Sequence, residues 1–299
     1  MTLTELRYVV AVAEERHFGR AAERCFVSQP SLSASVKNLE EELGVKLFER
    51  GKRGVFVTEA GEQIVSQARR ALEEAGRVKL VARQGRDPLK GTLRLGVIHT
   101  VAPYLLPDLV AALRRIAPEM PLDVEESITA NLDRMLKAGE LDAVILALPY
   151  DGQGLETVPL YEEVFQVATP AKHPLARRRN VAVEELDAGE LLLLPVGHCF
   201  RDQVLDACTE FSRPPEPGRQ GNSLETLRSM VASGLGITVL PATALTPRYV
   251  NPLVRVVDFA APRPARRIAL ASRRGFHRPA ALEKLVGAIR SIDLPVTRL

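Results

Sequence analysis

Cysteine is scarce in this sequence, with three among 299 residues. With no positively charged, apolar signal segment at its start, the chain is expected in the reducing cytoplasm, where a disulfide is transient or regulatory rather than a structural staple. No apolar run reaches the roughly 18 residues of a membrane-spanning helix, so no membrane association is expected. GxGxxG, phosphate-loop and HExxH patterns are missing, which leaves nucleotide-dependent and zinc-protease readings without support. His17, His99, His173 and His277 show no metal-ligand spacing, and neither a metal nor a cofactor is expected. Charge of one sign is not in large excess either: 40 Lys+Arg face 37 Asp+Glu. The surplus is localised, however. Residues 1–90 hold 16 basic and 13 acidic side chains, and the remainder holds 24 of each, which points weakly to a polyanionic partner for the first third.

What is there begins with the placement of those few cysteines. Cys199 and Cys208 lie in Gly197-His198-Cys199-Phe200-Arg201-Asp202-Gln203-Val204-Leu205-Asp206-Ala207-Cys208. Their spacing fits neither a CxxC redox motif nor a common zinc framework. By themselves, two cysteines in a helical segment are more often small core residues, and a single histidine such as His198 is more often a structural hydrogen-bonder. Cys25, among apolar helical positions, reads as core.

Along the chain, Leu6 to Glu15 carries an apolar face, and Gly19 interrupts it before Arg20–Cys25. Ser28 caps a further helix, with Pro30 in its first turn and Gly44 ending it. Leu32, Val36, Leu39 and Leu43 mark its buried face; Pro30, Ala34 and Lys37 lie opposite, flanked by Ser31 and Ser33. A second helix with a small, polar outer face suits a DNA major groove. Residues 47–57 then read as a hairpin around a glycine-bounded basic turn. Glu40-Glu41-Glu42 and Arg177-Arg178-Arg179 read as solvated faces. From Glu59 to about Arg86 one long helix is expected, with Ile64, Ala68, Ala71, Ala75, Val78 and Ala82 forming a heptad seam of small residues suited to dimerisation. After a linker at 87–91, strands at Leu93–Ile98, Leu122–Ser127, Leu141–Leu148 and Leu191–Leu194 alternate with helices at Pro103–Ile116 and Asn131–Ala138. The reading is an α/β domain with largely parallel strands and sites at their carboxyl ends.

Phe18-Gly19-Arg20-Ala21-Ala22, Ser28-Gln29-Pro30-Ser31-Leu32-Ser33, Leu43-Gly44-Val45-Lys46-Leu47-Phe48-Glu49-Arg50 and Thr58-Glu59-Ala60-Gly61 resemble the N-terminal region of LysR-type transcriptional regulators. The resemblance implies an α/β chain of three parts: a winged helix-turn-helix DNA-binding domain (1–58), a linker and dimerisation helix (59–88), and a periplasmic-binding-protein-like effector domain of two α/β subdomains with two crossovers (89–299). Gln29, Pro30, Ser31, Ser33, Lys37, Arg50 and Arg53 are the expected DNA contacts. Double-stranded promoter DNA, RNA polymerase and further copies of the chain, as a homodimer through 59–88 and a homotetramer, are the expected partners.

Within that family, residues 197–208, with Ser223-Leu224-Glu225-Thr226-Leu227, Arg266-Arg267 and Thr100, look like the sensor of the OxyR-type peroxide regulators. This implies that Cys199 reacts with hydrogen peroxide, that Cys208 is its resolving partner, and that Thr100, Thr129, His198, Asp202 and Arg266 surround the peroxide. Val196 and Phe200 depart from that pattern, where an acidic residue and a leucine are expected. Peroxide requires a thiolate, and a helix read over Phe200–Phe211 would put Cys199 at its N-terminus, where an anion is favoured. Nine helical steps separate two Cα atoms by roughly 13 Å, beyond the roughly 7 Å a disulfide tolerates, so the segment must unwind for the bond to form. The competing expectations are a LysR-type regulator responding to a small organic anion, and a thiol peroxidase or oxidoreductase. The N-terminal motifs favour a regulator over an enzyme.

Overall fold

The computed structural model describes residues 1–51, 54–84, 87–207 and 219–299. The chain divides into two compact units, Met1–Pro88 and Leu89–Leu299.

In the first unit, Thr2 and Glu5 form a capping box that starts α1 (Leu3–Glu15). Arg16 ends it in a left-handed conformation. His17 opens α2 (Phe18–Arg24), its Nδ1 accepting from the Gly19 and Arg20 amides. The break therefore falls at Arg16–His17, ahead of the glycine that the sequence suggested. Ser28 and Gly44 cap α3 (Gln29–Leu43) as expected. Leu32, Val36 and Leu39 are buried in a core shared with Val9, Val12 and Ala21, whereas Leu43 stays exposed.

Strands β1 (Phe48–Gly51) and β2 (Gly54–Val57) pair antiparallel as the wing. Glu40, read as solvated, is instead buried. Its carboxylate accepts from the Leu47 and Phe48 amides at 2.8 and 3.2 Å and from Lys46 Nζ at 2.8 Å, so it anchors the wing to α3. Thr58 starts α4 (Glu59–Gln84), donating to the Lys46 carbonyl and accepting from the Gly61 amide. A Cβ on Gly61 would lie 2.3 Å from the Leu47 carbonyl oxygen, so only glycine allows this close approach. Val65 and Ala68 are buried against the helix-turn-helix, with Ile64, Ala71 and Leu72 packed beside them. The first half of the proposed seam thus belongs to its own domain. Val78 is 69% exposed, and the Ala82 side chain lies outside the described residues.

In the second unit, β3 (Leu93–Ile98), α5 (Ala102–Ile116), β4 (Leu122–Ser127), α6 (Thr129–Ala138) and β5 (Ala143–Leu148) build a parallel β4-β3-β5 core. The 16-residue β6 (Leu155–Pro170) then crosses into a second subdomain holding β7 (Asn180–Val181), α7 (Cys199–Ala207), α8 (Leu224–Ala232), β8 (Thr238–Pro241) and β9 (Val254–Phe259). The chain returns through β10 (Ala265–Arg273), α9 (Pro279–Ser291) and β11 (Thr297–Arg298). Residues 155–164 of β6 pair with β10, and residues 165–170 pair with β8 and β9. The two crossovers are as expected; the largely parallel sheet is not. Every pairing of β6, and that of β10 with β5, is antiparallel. For β6 with β10 the reason is that the outgoing and returning crossover strands run in opposite senses. Leu191–Leu194 is no regular strand but makes two isolated parallel bridges, to Ile237 and Gln220, with all four leucines buried. Each subdomain has its own core, one including Val97, Leu105 and Ile145, the other Phe165, Val204 and Phe259. Among the described residues no helix is long and apolar enough to cross a membrane.

Candidate functional site

Cys199 is the first residue of α7 and carries a free thiol. Gly197, at φ +100°, turns the chain into this helix. Phe200 and Val204 anchor α7 in the second subdomain's core, while half-buried Cys199 packs against the core of the first. The helix start therefore sits at the boundary between subdomains. A small cavity opens there. The end of β3 supplies Ile98, His99 and Thr100, the β4–α6 junction supplies Ser127, Ile128 and Thr129, and α7 with its approach supplies His198 and Cys199. The first two groups lie at carboxyl ends of parallel strands, where open α/β folds place ligands.

About 10 Å³ is open to the centre of a water-sized molecule, room for a guest not much larger than water. Thr129 Oγ1 is buried and has no protein partner among the described residues, so a polar guest is needed to satisfy it. Burial, and then the nearby His99, hold the His198 ring below the usual histidine pKa and so favour its neutral form. The two imidazole centroids are 5.4 Å apart, and His99 Nδ1 lies 3.0 Å from Glu126 Oε1.

Behind the cavity runs a buried polar chain. Arg266 donates through Nη1 to Thr100 Oγ1 at 2.8 Å, through Nη2 to the Thr100 carbonyl at 3.0 Å, and through Nε to Glu163 Oε1 at 2.8 Å. Glu163 Oε2 accepts from the Thr243 hydroxyl at 2.7 Å and its amide at 3.2 Å. The guanidinium carbon also lies 4.7 Å from the Phe200 ring centroid. The phenyl ring that departs from the expected leucine thus stacks the residue after Cys199 onto this cation, while Val196 is exposed. On the DNA-binding side, Gln29, Pro30, Ser31 and Lys37 are exposed and Ser33 is half-buried. The Arg50 side chain and Arg53 lie outside the described residues.

Residues 3–62 match the bacterial regulatory helix-turn-helix protein, lysR family, and residues 86–292 match the LysR substrate binding domain. The chain is 42% identical over 291 residues to the DNA-binding transcriptional dual regulator OxyR of Escherichia coli (strain K12), covering 97% of this chain and 95% of that one. It is 43% identical to a probable hydrogen peroxide-inducible genes activator of Streptomyces viridosporus, covering 99% and 96%. Full-length OxyR of Pseudomonas aeruginosa, in a cysteine-to-aspartate form, matches with a TM-score of 0.80 and 48% identity over 98% of this chain and 99% of that chain. The hydrogen-peroxide-bound cysteine-to-serine mutant of Corynebacterium glutamicum OxyR matches at 0.65 and 34%, over 97% and 91%. The chain belongs to the LysR family, in its OxyR group.

Of the sensor residues expected in this OxyR-group chain, Thr100, Thr129 and His198 meet around Cys199, whereas Asp202 and Arg266 do not line the cavity. Asp202 is exposed on the first turn of α7, and Arg266 acts one layer back through Thr100 and Phe200. Cys208 lies outside the described residues. Sequence reasoning missed His99, Glu126 and Glu163. His99 was within reach of it, since it directly precedes Thr100 at the carboxyl end of a strand; Glu163 gave no local signal.

Proposed function

We propose that this DNA-binding regulator senses hydrogen peroxide through Cys199 and a reversible Cys199–Cys208 disulfide. The supporting observation is a free thiol at a helix start, in a small cavity whose Thr129 hydroxyl has no partner among the described residues. Helix N–H groups and dipole favour the thiolate there. The thiolate attacks one peroxide oxygen; the O–O bond breaks, hydroxide leaves and is protonated to water, and Cys199 becomes a sulfenic acid. Condensation with the Cys208 thiol then forms the S–S bond and releases a second water. A free thiol lining the cavity favours peroxide over the metabolite reading, which gives the cysteine no role.

The disulfide and the intact helix exclude each other. Eight helical steps from Cys199 to Ala207 span about 12 Å. A disulfide needs less than about 7 Å. Oxidation therefore unwinds part of α7, and the shape change biases how the molecule holds promoter DNA. We further propose that exposed Gln29, Pro30, Ser31 and Lys37, with Ser33, Arg50 and Arg53, form the DNA contacts. The α4 seam, where Val78 is exposed, joins two copies of the chain, and dimers associate to tetramers that engage RNA polymerase in the cytoplasm. As a regulator, the protein is oxidised once per signal rather than turning over.

Mass analysis of peroxide-treated variants tests the chemistry. Cys199→Ser should show no oxygen adduct and no disulfide. Cys208→Ser should accumulate a trappable sulfenic acid at Cys199. An internal disulfide in Cys199→Ser, or an inert Cys199 in the unaltered chain, would overturn it.

A further inference from the structure

Resting on the peroxide reading, we infer that His99, held by Glu126, delivers the proton that the leaving hydroxide needs. His99 lines the same cavity as Cys199, at the end of β3. Its Nδ1 lies 3.0 Å from Glu126 Oε1 on β4, which fixes the ring and compensates its charge when it carries a proton. Imidazole is the side chain that changes charge near neutral pH. Burial, and then His99, lower the pKa of the other ring in the cavity, His198. The His99 side chain is 35% exposed, so solvent can return the proton after each reaction. The groups facing His99 are Glu126 from β4 and His198 and Cys199 from the approach to α7; Arg266 stands behind Thr100, engaged with Glu163.

The step balances. Cys199 thiolate, hydrogen peroxide and protonated His99 give Cys199 sulfenic acid, water and neutral His99. The S–O bond forms as the O–O bond breaks; sulfur is oxidised, peroxide is reduced, and the imidazole proton ends on the departing oxygen. Proton delivery of this kind is worth on the order of 10²-fold or more in rate.

Alkylation separates proton delivery from thiolate formation, because iodide leaves iodoacetamide without a proton. Full-length protein and its His99→Gln and Glu126→Gln variants would be followed by mass, for sulfenic acid formation with hydrogen peroxide and for alkylation of Cys199 with iodoacetamide, between pH 6 and 8. The expected result is peroxide oxidation slower by about a hundredfold in His99→Gln and by less in Glu126→Gln, with alkylation unchanged. Equal slowing of both reactions would mean that His99 acts on the thiolate or the cavity shape, and would overturn the inference. So would an unchanged peroxide rate. Failure of the underlying peroxide reading would look different: the unaltered chain itself would form no sulfenic acid.

Discussion

Glu40 shows how much one side chain can organise. Burial alone would raise its pKa, but Lys46 and the Leu47 and Phe48 amides outweigh that effect and hold the carboxyl below its usual range. The charged form is therefore stabilised by folding. Its contribution is fully present above the ordinary glutamate pKa of about 4.3 and is lost as pH falls through the lowered folded value. Glu40→Ala should cost the N-terminal unit about 2 kcal/mol at pH 7, since it strands two backbone donors, and that cost should begin to shrink as pH falls to 4 and below. Glu40→Gln, which keeps an acceptor oxygen, should cost less. Denaturant titrations at pH 7 and pH 4 would check both. Single residues of this sort are where sequence reading is weakest. Glu40 looked like one of three solvated acids, and its role comes from the wing, which approaches from seven residues further on. Glu163, equally silent in sequence, is fully buried with Arg266, a pairing made across 103 residues. Thr100, Thr129 and His198 were legible only because their motifs resemble a family; no spacing brings residues 100, 129 and 198 together.

At the scale of elements, the capped helices were the most legible. Ser28, Gly44 and the four-three spacing of Leu32, Val36 and Leu39 are local signals, and α3 follows them. The crossover strands were not legible. β6 alternates buried and exposed residues only in part, because its two halves serve different sheets. Nothing local announces that Arg266 and Arg267 lie in a strand paired with both β5 and β6. The α4 seam shows a different limit: one heptad pattern serves an intramolecular core in its first half and leaves Val78 open beyond it. For α7, Phe200 and Val204 hold the helix while its first residue reaches the other subdomain, so unwinding from the Cys199 end has to displace Phe200 from the core, a cost the disulfide must offset. Backbone amide exchange over residues 198–207 should rise on oxidation by peroxide. Unchanged protection there, in protein shown by mass to hold the disulfide, would rule out the unwinding mechanism.

A DNA-binding fold and a sensor fold occupy separate compact units, Met1–Pro88 and Leu89–Leu299. Most of the excess basic charge lies in the first of them. The proposed sensing chemistry lies in the second, where Cys199 stands at the boundary of two subdomains. Gln203 Nε2 donates to the Leu148 carbonyl at 3.1 Å, and Tyr104 Oη donates to Glu225 at 2.8 Å; both bonds span that boundary. The first is made by α7 itself, so unwinding the helix loosens the junction. The link between thiol and promoter is tested by footprinting target DNA with the unaltered protein and with Cys199→Ser, each before and after peroxide and without added metabolite. The footprint of the unaltered protein should change in extent or position on oxidation, while that of Cys199→Ser stays in its reduced pattern. A footprint that shifts equally in Cys199→Ser, or in neither protein, would contradict peroxide sensing through Cys199.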